Sequence, residues 1–168
     1  MKLNEMKRGS EVFVDSNILI YHFTGLSDDC SNFLGRCEMG ELNGMTSVNV
    51  ILEVLHRLMM VEAVHKNLVK PPNIVKKLGR APQKIKELND YFVNTEKIQD
   101  MGITIKPLTF ETIIMSHMVR LASGLMVNDS VIIAVMKNHG VELLATNDKA
   151  FENVKEIDVY APEDMNFS

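Results

Sequence analysis

Four acidic residues stand where a reaction centre would need them: Asp15, Glu53, Asp129 and Asp148. Asp15 ends the apolar run Glu11-Val-Phe-Val, and Asp148 follows the apolar run from Val141 to Ala145, so each closes a predicted strand. Asp129 opens one predicted helix, and Glu53 lies one and a half turns into another. In a parallel α/β sheet, ligand sites gather at the carboxyl ends of the strands. Four carboxylates brought to that edge would repel one another, and a hard divalent cation is the usual remedy. A ligand set made only of oxygen favours Mg²⁺ or Mn²⁺ over zinc.

Each acid also has a plain structural role open to it. Asp15 and Asp129 can cap helices, Asp148 can shape a turn with Asn147, and Glu53 can belong to a solvated stripe. At about 100° per residue, Val48, Ile51, Leu52, Leu55 and Met59 share one face of the Glu53 helix. Asn49, Glu53, His56 and Met60 share another. Glu53 is flanked by Leu52 and Val54, where a helix would otherwise bury an apolar side chain. Burying a lone carboxylate costs several kcal/mol unless it is paired or metal-bound.

The elements that must carry these acids follow from periodicity and breakers. A strand passes directly into a helix at Asp15, with Ser16 and Asn17 at the junction. A helix spans Asp28 to Met39 and stops at Gly40, and Asn43 to Thr46 forms a turn with a short strand. Ser47 caps a long helix that runs toward Lys66 and ends before Pro71-Pro72. Pro82 opens a helix running to about Asp100, with Gly102 just past its end. Ile103 to Ile105 is a strand; Thr109 caps a helix that ends at Gly124; a further helix runs from Asn128-Asp129 to Gly140. Strands at Val141 to Ala145 and Ile157 to Tyr160 complete the chain. Strands alternating with helices predict an α/β domain with a central parallel sheet.

With 168 residues and 46% hydrophobic content, a single domain over residues 1–168 is expected, and wholesale disorder is excluded. Glu53, His56 and Arg57 interrupt the best apolar run, so no membrane span is expected. The polar stretch from Met1 to Ser10 lacks a signal-peptide core, and the chain reads as cytoplasmic. Cys30 and Cys37 fall about 10 Å apart on one helix, beyond the roughly 7 Å limit for a disulfide. No Cys-x-x-Cys pair exists to hold structural zinc. The net charge of −4 argues against a protein that coats nucleic acid. Between Lys66 and Lys86, however, lie seven basic residues and no acidic one, within a basic helical segment at about 66–100. That stretch is either a solvated helix face or an RNA clamp, with Lys76, Lys77 and Arg80 as its candidate contacts.

Four motifs in order resemble those of the PIN-domain ribonucleases. Asp15-Ser-Asn-Ile-Leu-Ile-Tyr21 is similar to the family's opening motif, and Thr46-Ser47 with Glu53-Val-Leu55 to its second. Asn128-Asp-Ser-Val-Ile-Ile-Ala134 resembles the third, and Leu144-Ala-Thr-Asn-Asp-Lys-Ala-Phe151 the fourth, where Thr-x-Asp-x-x-Phe is typical. The resemblance covers nearly the whole chain. It implies a three-layer α/β/α domain around a parallel sheet, with Asp15, Glu53, Asp129 and Asp148 as catalytic and metal-holding acids. Asn17 and Thr146 would be supporting polar groups. It implies cleavage of single-stranded RNA with Mg²⁺ or Mn²⁺, and for a small single domain, the toxin role of the VapC proteins beside an antitoxin partner. Two features depart from the pattern: the long basic insertion between Glu53 and Asp129, and Ser130 where alanine is common.

Other functions weighed against this one are a PIN nuclease that processes RNA without an antitoxin and a non-catalytic PIN-like binding module. Phosphoaspartyl chemistry lacks its second acid, because Asp15-Ser16-Asn17 is not an Asp-x-Asp pair. A homodimer is expected from the resemblance and from the surplus apolar surface of the 47–63 helix, at Met59, Met60 and Val61.

Overall fold

The structure, a computed structural model, describes residues 1–165; the last three residues of the expected 1–168 domain lie outside the described residues. Five strands form one parallel sheet: β1 Glu11–Val14, β2 Asn43–Ser47, β3 Ile103–Lys106, β4 Leu143–Ala145 and β5 Asp158–Tyr160. Their spatial order is β3-β2-β1-β4-β5. Among the described residues, eight α-helices connect them: α1 Ser16–Phe23, α2 Asp28–Glu38, α3 Val48–His65, α4 Ile74–Gly79, α5 Pro82–Ile85, α6 Asp90–Glu96, α7 Phe110–Ser123 and α8 Val127–Asn138.

The central strand explains the order. Val12, Phe13 and Val14 are fully buried, a continuous apolar run of the kind that parallel strands covered on both faces require. Phe13 pairs with Met45 of β2 on one side and Leu144 of β4 on the other. Successive connections step from β1 to β2 to β3, then cross back to β4 and β5. Because such crossovers are right-handed, reversing direction places α7 and α8 on the face opposite α1 to α6. The expected three-layer α/β/α fold is thus present. In α8, every residue from Ser130 to Met136 is buried between the sheet and α7. The reversal falls between β1 and β4, so their carboxyl ends open the crevice where α/β sheets bind ligands.

Two details of the sequence reading need correction. In α3 the buried stripe is Val50, Val54 and Leu58, an i, i+4 row facing inward, while Leu52 on the supposed apolar face is 61% exposed. Met59 and Met60 are half-buried, because the inserted segment folds over them. It builds a small second core from Ala63, Val69, Leu78 and Leu88, against which both methionines pack. Of the three residues from which a homodimer is expected, Met59 and Met60 are thus partly covered within the chain, whereas Val61 stays 44% exposed.

The second correction concerns the helix expected from Pro82 to Asp100. It is interrupted, as α5, α6 and a 3-10 turn over Lys97–Met101. The cause lies in α3. The buried Glu62 carboxylate accepts the backbone N–H of Asn89 at 2.9 Å and of Tyr91 at 2.8 Å, together with Lys66 Nζ at 2.6 Å. Those contacts hold Asn89 at φ −149°, outside the helical region. Burial alone would raise the Glu62 pKa, but Lys66 and the backbone donors prevail and hold it at about 2.

Gly102 closes this segment with φ +67°, and a Cβ there would lie 2.5 Å from the Cys37 carbonyl oxygen, so only glycine lets β3 start beside the end of α2. Cys30 and Cys37 are both free, buried thiols on α2. Among the described residues, no single helix is long and apolar enough to cross a membrane. Among the described residues, exposed apolar side chains cluster on α7 and the turn after it, where Phe110 is 71% and Met126 76% exposed beside Ile114, Met118 and Leu121.

Candidate active site

Asp15 follows β1 directly and is 5% exposed. Its Oδ1 accepts the Ser16 N–H at 2.7 Å, so it does begin α1 as a cap. Its Oδ2 accepts two further bonds at 2.7 Å, from Asn17 Nδ2 and Thr146 Oγ1. Asn17 also donates to Thr146 Oγ1 at 2.9 Å and accepts the Asn147 N–H at 3.0 Å. Thr146 Oγ1 in turn accepts the Asp148 N–H at 3.0 Å. The two polar residues singled out with the acids therefore tie the end of β1 to the end of β4 through one buried network.

Asp148 caps the 3-10 turn over Lys149–Asn153, its Oδ1 accepting the Ala150 N–H at 2.8 Å. Asp129 does not cap α8; Met126 holds that position, and Asp129 occupies the first turn with its carboxylate left for the crevice. Glu53 projects beside the buried stripe of α3, and its Oε2 accepts Asn128 Nδ2 at 3.1 Å. Asn128 Oδ1 accepts Asn49 Nδ2 at 3.1 Å, and Ser47, which holds the N-cap position of α3 as expected, donates its hydroxyl to Asn49 Oδ1 at 2.6 Å.

All four acids line one open cleft of about 640 Å³ at the carboxyl edge of the sheet, with Asn17 on its wall. Lys76, Lys77 and Arg80 do not line it. They lie exposed on α4 and at its end. The cleft has cations of its own that sequence reasoning did not assign, Arg57 of α3 and Lys149 after Asp148. The i, i+4 spacing of Glu53 and Arg57 carried a signal for the first, and adjacency to Asp148 for the second. Asn128 was also missed, because its partner Glu53 is distant in sequence. Ser130, the departure from alanine, has a role as well: its hydroxyl donates to the Val127 carbonyl at 2.7 Å and accepts Arg120 Nη1 at 2.8 Å. Arg120 also donates to the buried Ser116, pinning the first turn of α8, which carries Asp129, against α7.

The electrostatics bear the mark of uncompensated charge. Burial pushes the Asp15 pKa up to about 6; bonds from Thr146 and Ser16 pull it down, and the charges of Glu53 and Asp129 push it up again. Asp129 is raised too, by burial first and then by Asp148 and Glu53. Among the described residues, no three His, Cys, Asp or Glu side chains converge tightly enough to hold one ion between them. An all-oxygen set that repels itself still suits Mg²⁺ or Mn²⁺, because such a hard ion keeps several waters and needs only one or two direct carboxylates.

The same fold occurs in solved structures of low identity. VapBC2 from Rickettsia felis, bound to a DNA fragment from its promoter, aligns with TM-score 0.57 and 13% identity over 91% of this chain and 99% of that one. A toxin–antitoxin complex from Klebsiella pneumoniae gives 0.54 and 19% over 88% and 95%. VapC20 from Mycobacterium tuberculosis, a sarcin–ricin loop cleaving toxin, gives 0.58 and 14% over 89% and 98%. No curated protein sequence matches. The family described as PIN domain matches residues 12–157, a span that includes all four acids and both bridging polar residues, and the chain belongs to that family.

Proposed function

We propose that this protein is a divalent-metal-dependent ribonuclease that hydrolyses phosphodiester bonds of single-stranded RNA, and that it serves in the cytoplasm as the toxin of a VapBC-type pair. The observation that carries the reading is the gathering of Asp15, Glu53, Asp129 and Asp148 from four separated segments on one cleft. Similarity of fold to VapC20 and to toxin–antitoxin complexes supports an antitoxin as partner.

In this reading Asp15, Glu53, Asp129 and Asp148 would hold Mg²⁺ or Mn²⁺. The cation, when bound, supplies acidification of an attacking water and neutralisation of charge at phosphorus. The chain's own groups do the rest. Ser16, Asn17 and Thr146 fix both oxygens of Asp15, so the carboxylate needs no reorganisation as charge develops nearby. Asn128 steadies Glu53 across the cleft. Lys76, Lys77 and Arg80 extend a positive surface outside it toward the rest of the strand. A second copy of the chain would cover the apolar face of α7.

The test is incubation of the purified chain with single-stranded RNA and Mn²⁺ or Mg²⁺, with and without chelator. Cleavage that chelator abolishes is expected. Absence of cleavage under every metal condition, or cleavage indifferent to chelator, contradicts the proposal.

A further inference from the structure

A cleft lined by four acids repels the polyanion it is proposed to cut. A cation held among the acids offsets part of that repulsion at the scissile phosphate, but not at its neighbours along the strand. The cleft carries two cationic side chains on different walls. Arg57 lies one turn beyond Glu53, about 6 Å further along α3 at 1.5 Å per residue. Lys149 follows Asp148 directly, at the start of the turn after β4.

Both are exposed, and among the described residues neither side chain makes an ion pair or hydrogen bond. Glu53, the natural i, i+4 partner of Arg57, accepts from Asn128 instead. An arginine beside four carboxylates yet bonded to none keeps its planar donor fork free for an incoming oxyanion.

We infer that Arg57 and Lys149 bind the phosphates flanking the scissile one, on either side of the acids, and so thread a single nucleic-acid strand across the cleft. This rests on the nuclease reading above and names the residues that position its substrate. They are positioning residues: they hold ground state and transition state alike, so their loss raises KM and leaves kcat in place.

The experiment measures binding and turnover separately. Binding of a short single-stranded RNA of mixed sequence is followed by anisotropy against salt, with Mg²⁺ present and Asp148→Asn as a cleavage-deficient background. Each phosphate contact on a single strand contributes about 0.7 to the slope of log K against log salt. Arg57→Ala and Lys149→Ala should each flatten it by about that amount, and the double variant by about 1.4. Arg57→Lys, which keeps the charge, should retain the slope. In the cleaving protein, both alanine variants should raise KM several-fold with kcat unchanged.

An unaltered slope in the double variant, or a loss confined to kcat, overturns the inference. Failure of the unsubstituted chain to cleave RNA refutes the nuclease reading instead, and the binding arm still decides between the two cations and none.

Discussion

The acidic cleft and the basic insertion use charge in opposite ways. At the cleft, burial drives the Asp15 pKa up to about 6; bonds from Thr146 and Ser16 offset part of the rise, and the charges of Glu53 and Asp129 add a little to it. Where the insertion packs on α3, Glu62 is also buried but is held at about 2, because Lys66 and the backbone donors outweigh the effect of burial. Lys66 also pairs with Asp90 at 3.2 Å, and Lys77 and Lys84 donate to the carbonyls of Lys70 and Leu68. Several cations of the insertion are thus engaged in holding their own segment, whereas the cleft leaves its charges open. A buried carboxylate answered by a cation is scaffolding, whereas like charges gathered on one cleft mark a candidate functional site.

Acid should act on the two regions with opposite sign. Asp15 has a folded pKa above its ordinary 3.8, so its contribution to stability is full below that value and is lost as pH rises through about 6. Glu62 is depressed from 4.5, so its contribution is present above that value and is lost as pH falls toward about 2.

The largest expected effect is on the chemistry. Asp15→Asn with Asp148→Asn should lower RNA cleavage by at least about 100-fold, as disrupted metal sites do. Gel-resolved cleavage rates check this, and a folded double variant that cuts at the normal rate would dissolve the distinction between the two regions. Next comes Glu62→Ala. It strands the Asn89 and Tyr91 N–H groups and leaves Lys66 half-paired, so stability should fall by about 2–3 kcal/mol in urea unfolding. Cleavage per folded molecule should stay within about twofold, because Glu62 does not line the cleft. The smallest effect is that of Lys76→Ala, Lys77→Ala and Arg80→Ala together. The salt slope of RNA binding should flatten, and stability should fall by no more than about 1 kcal/mol, chiefly from the lost Lys77 bond to the Lys70 carbonyl.

Much of this was legible in the sequence, for local reasons. The passage from β1 into α1 at Asp15, the stops at Gly40, Gly102, Gly124 and Gly140, and the motifs around Asp129 and Asp148 all turn on residues close together in the chain. What escaped depends on distant partners. The break at Asn89 is imposed by Glu62 on another helix, and no periodicity within 82–100 announces it. The faces of α3 were misjudged because the insertion covers Met59 and Met60 and changes which side counts as inside. Asn128 and Arg57 gain their places only when α3 and α8 meet at the sheet edge. Ser130 reads as a neutral departure until Arg120 arrives from α7.

The central claim is that the open charges of the cleft are there to take a divalent cation. Calorimetric titration of the RNA-free protein with Mn²⁺ tests it most directly. Binding should release protons near pH 6 and weaken toward pH 5, where Asp15 is protonated and must give up its proton to the metal. Asp15→Asn with Asp148→Asn should remove most of the affinity, and Glu62→Gln should leave it intact. Mn²⁺ affinity that is the same at pH 7.5 and 5, and the same in the double variant as in the unsubstituted chain, would contradict the account.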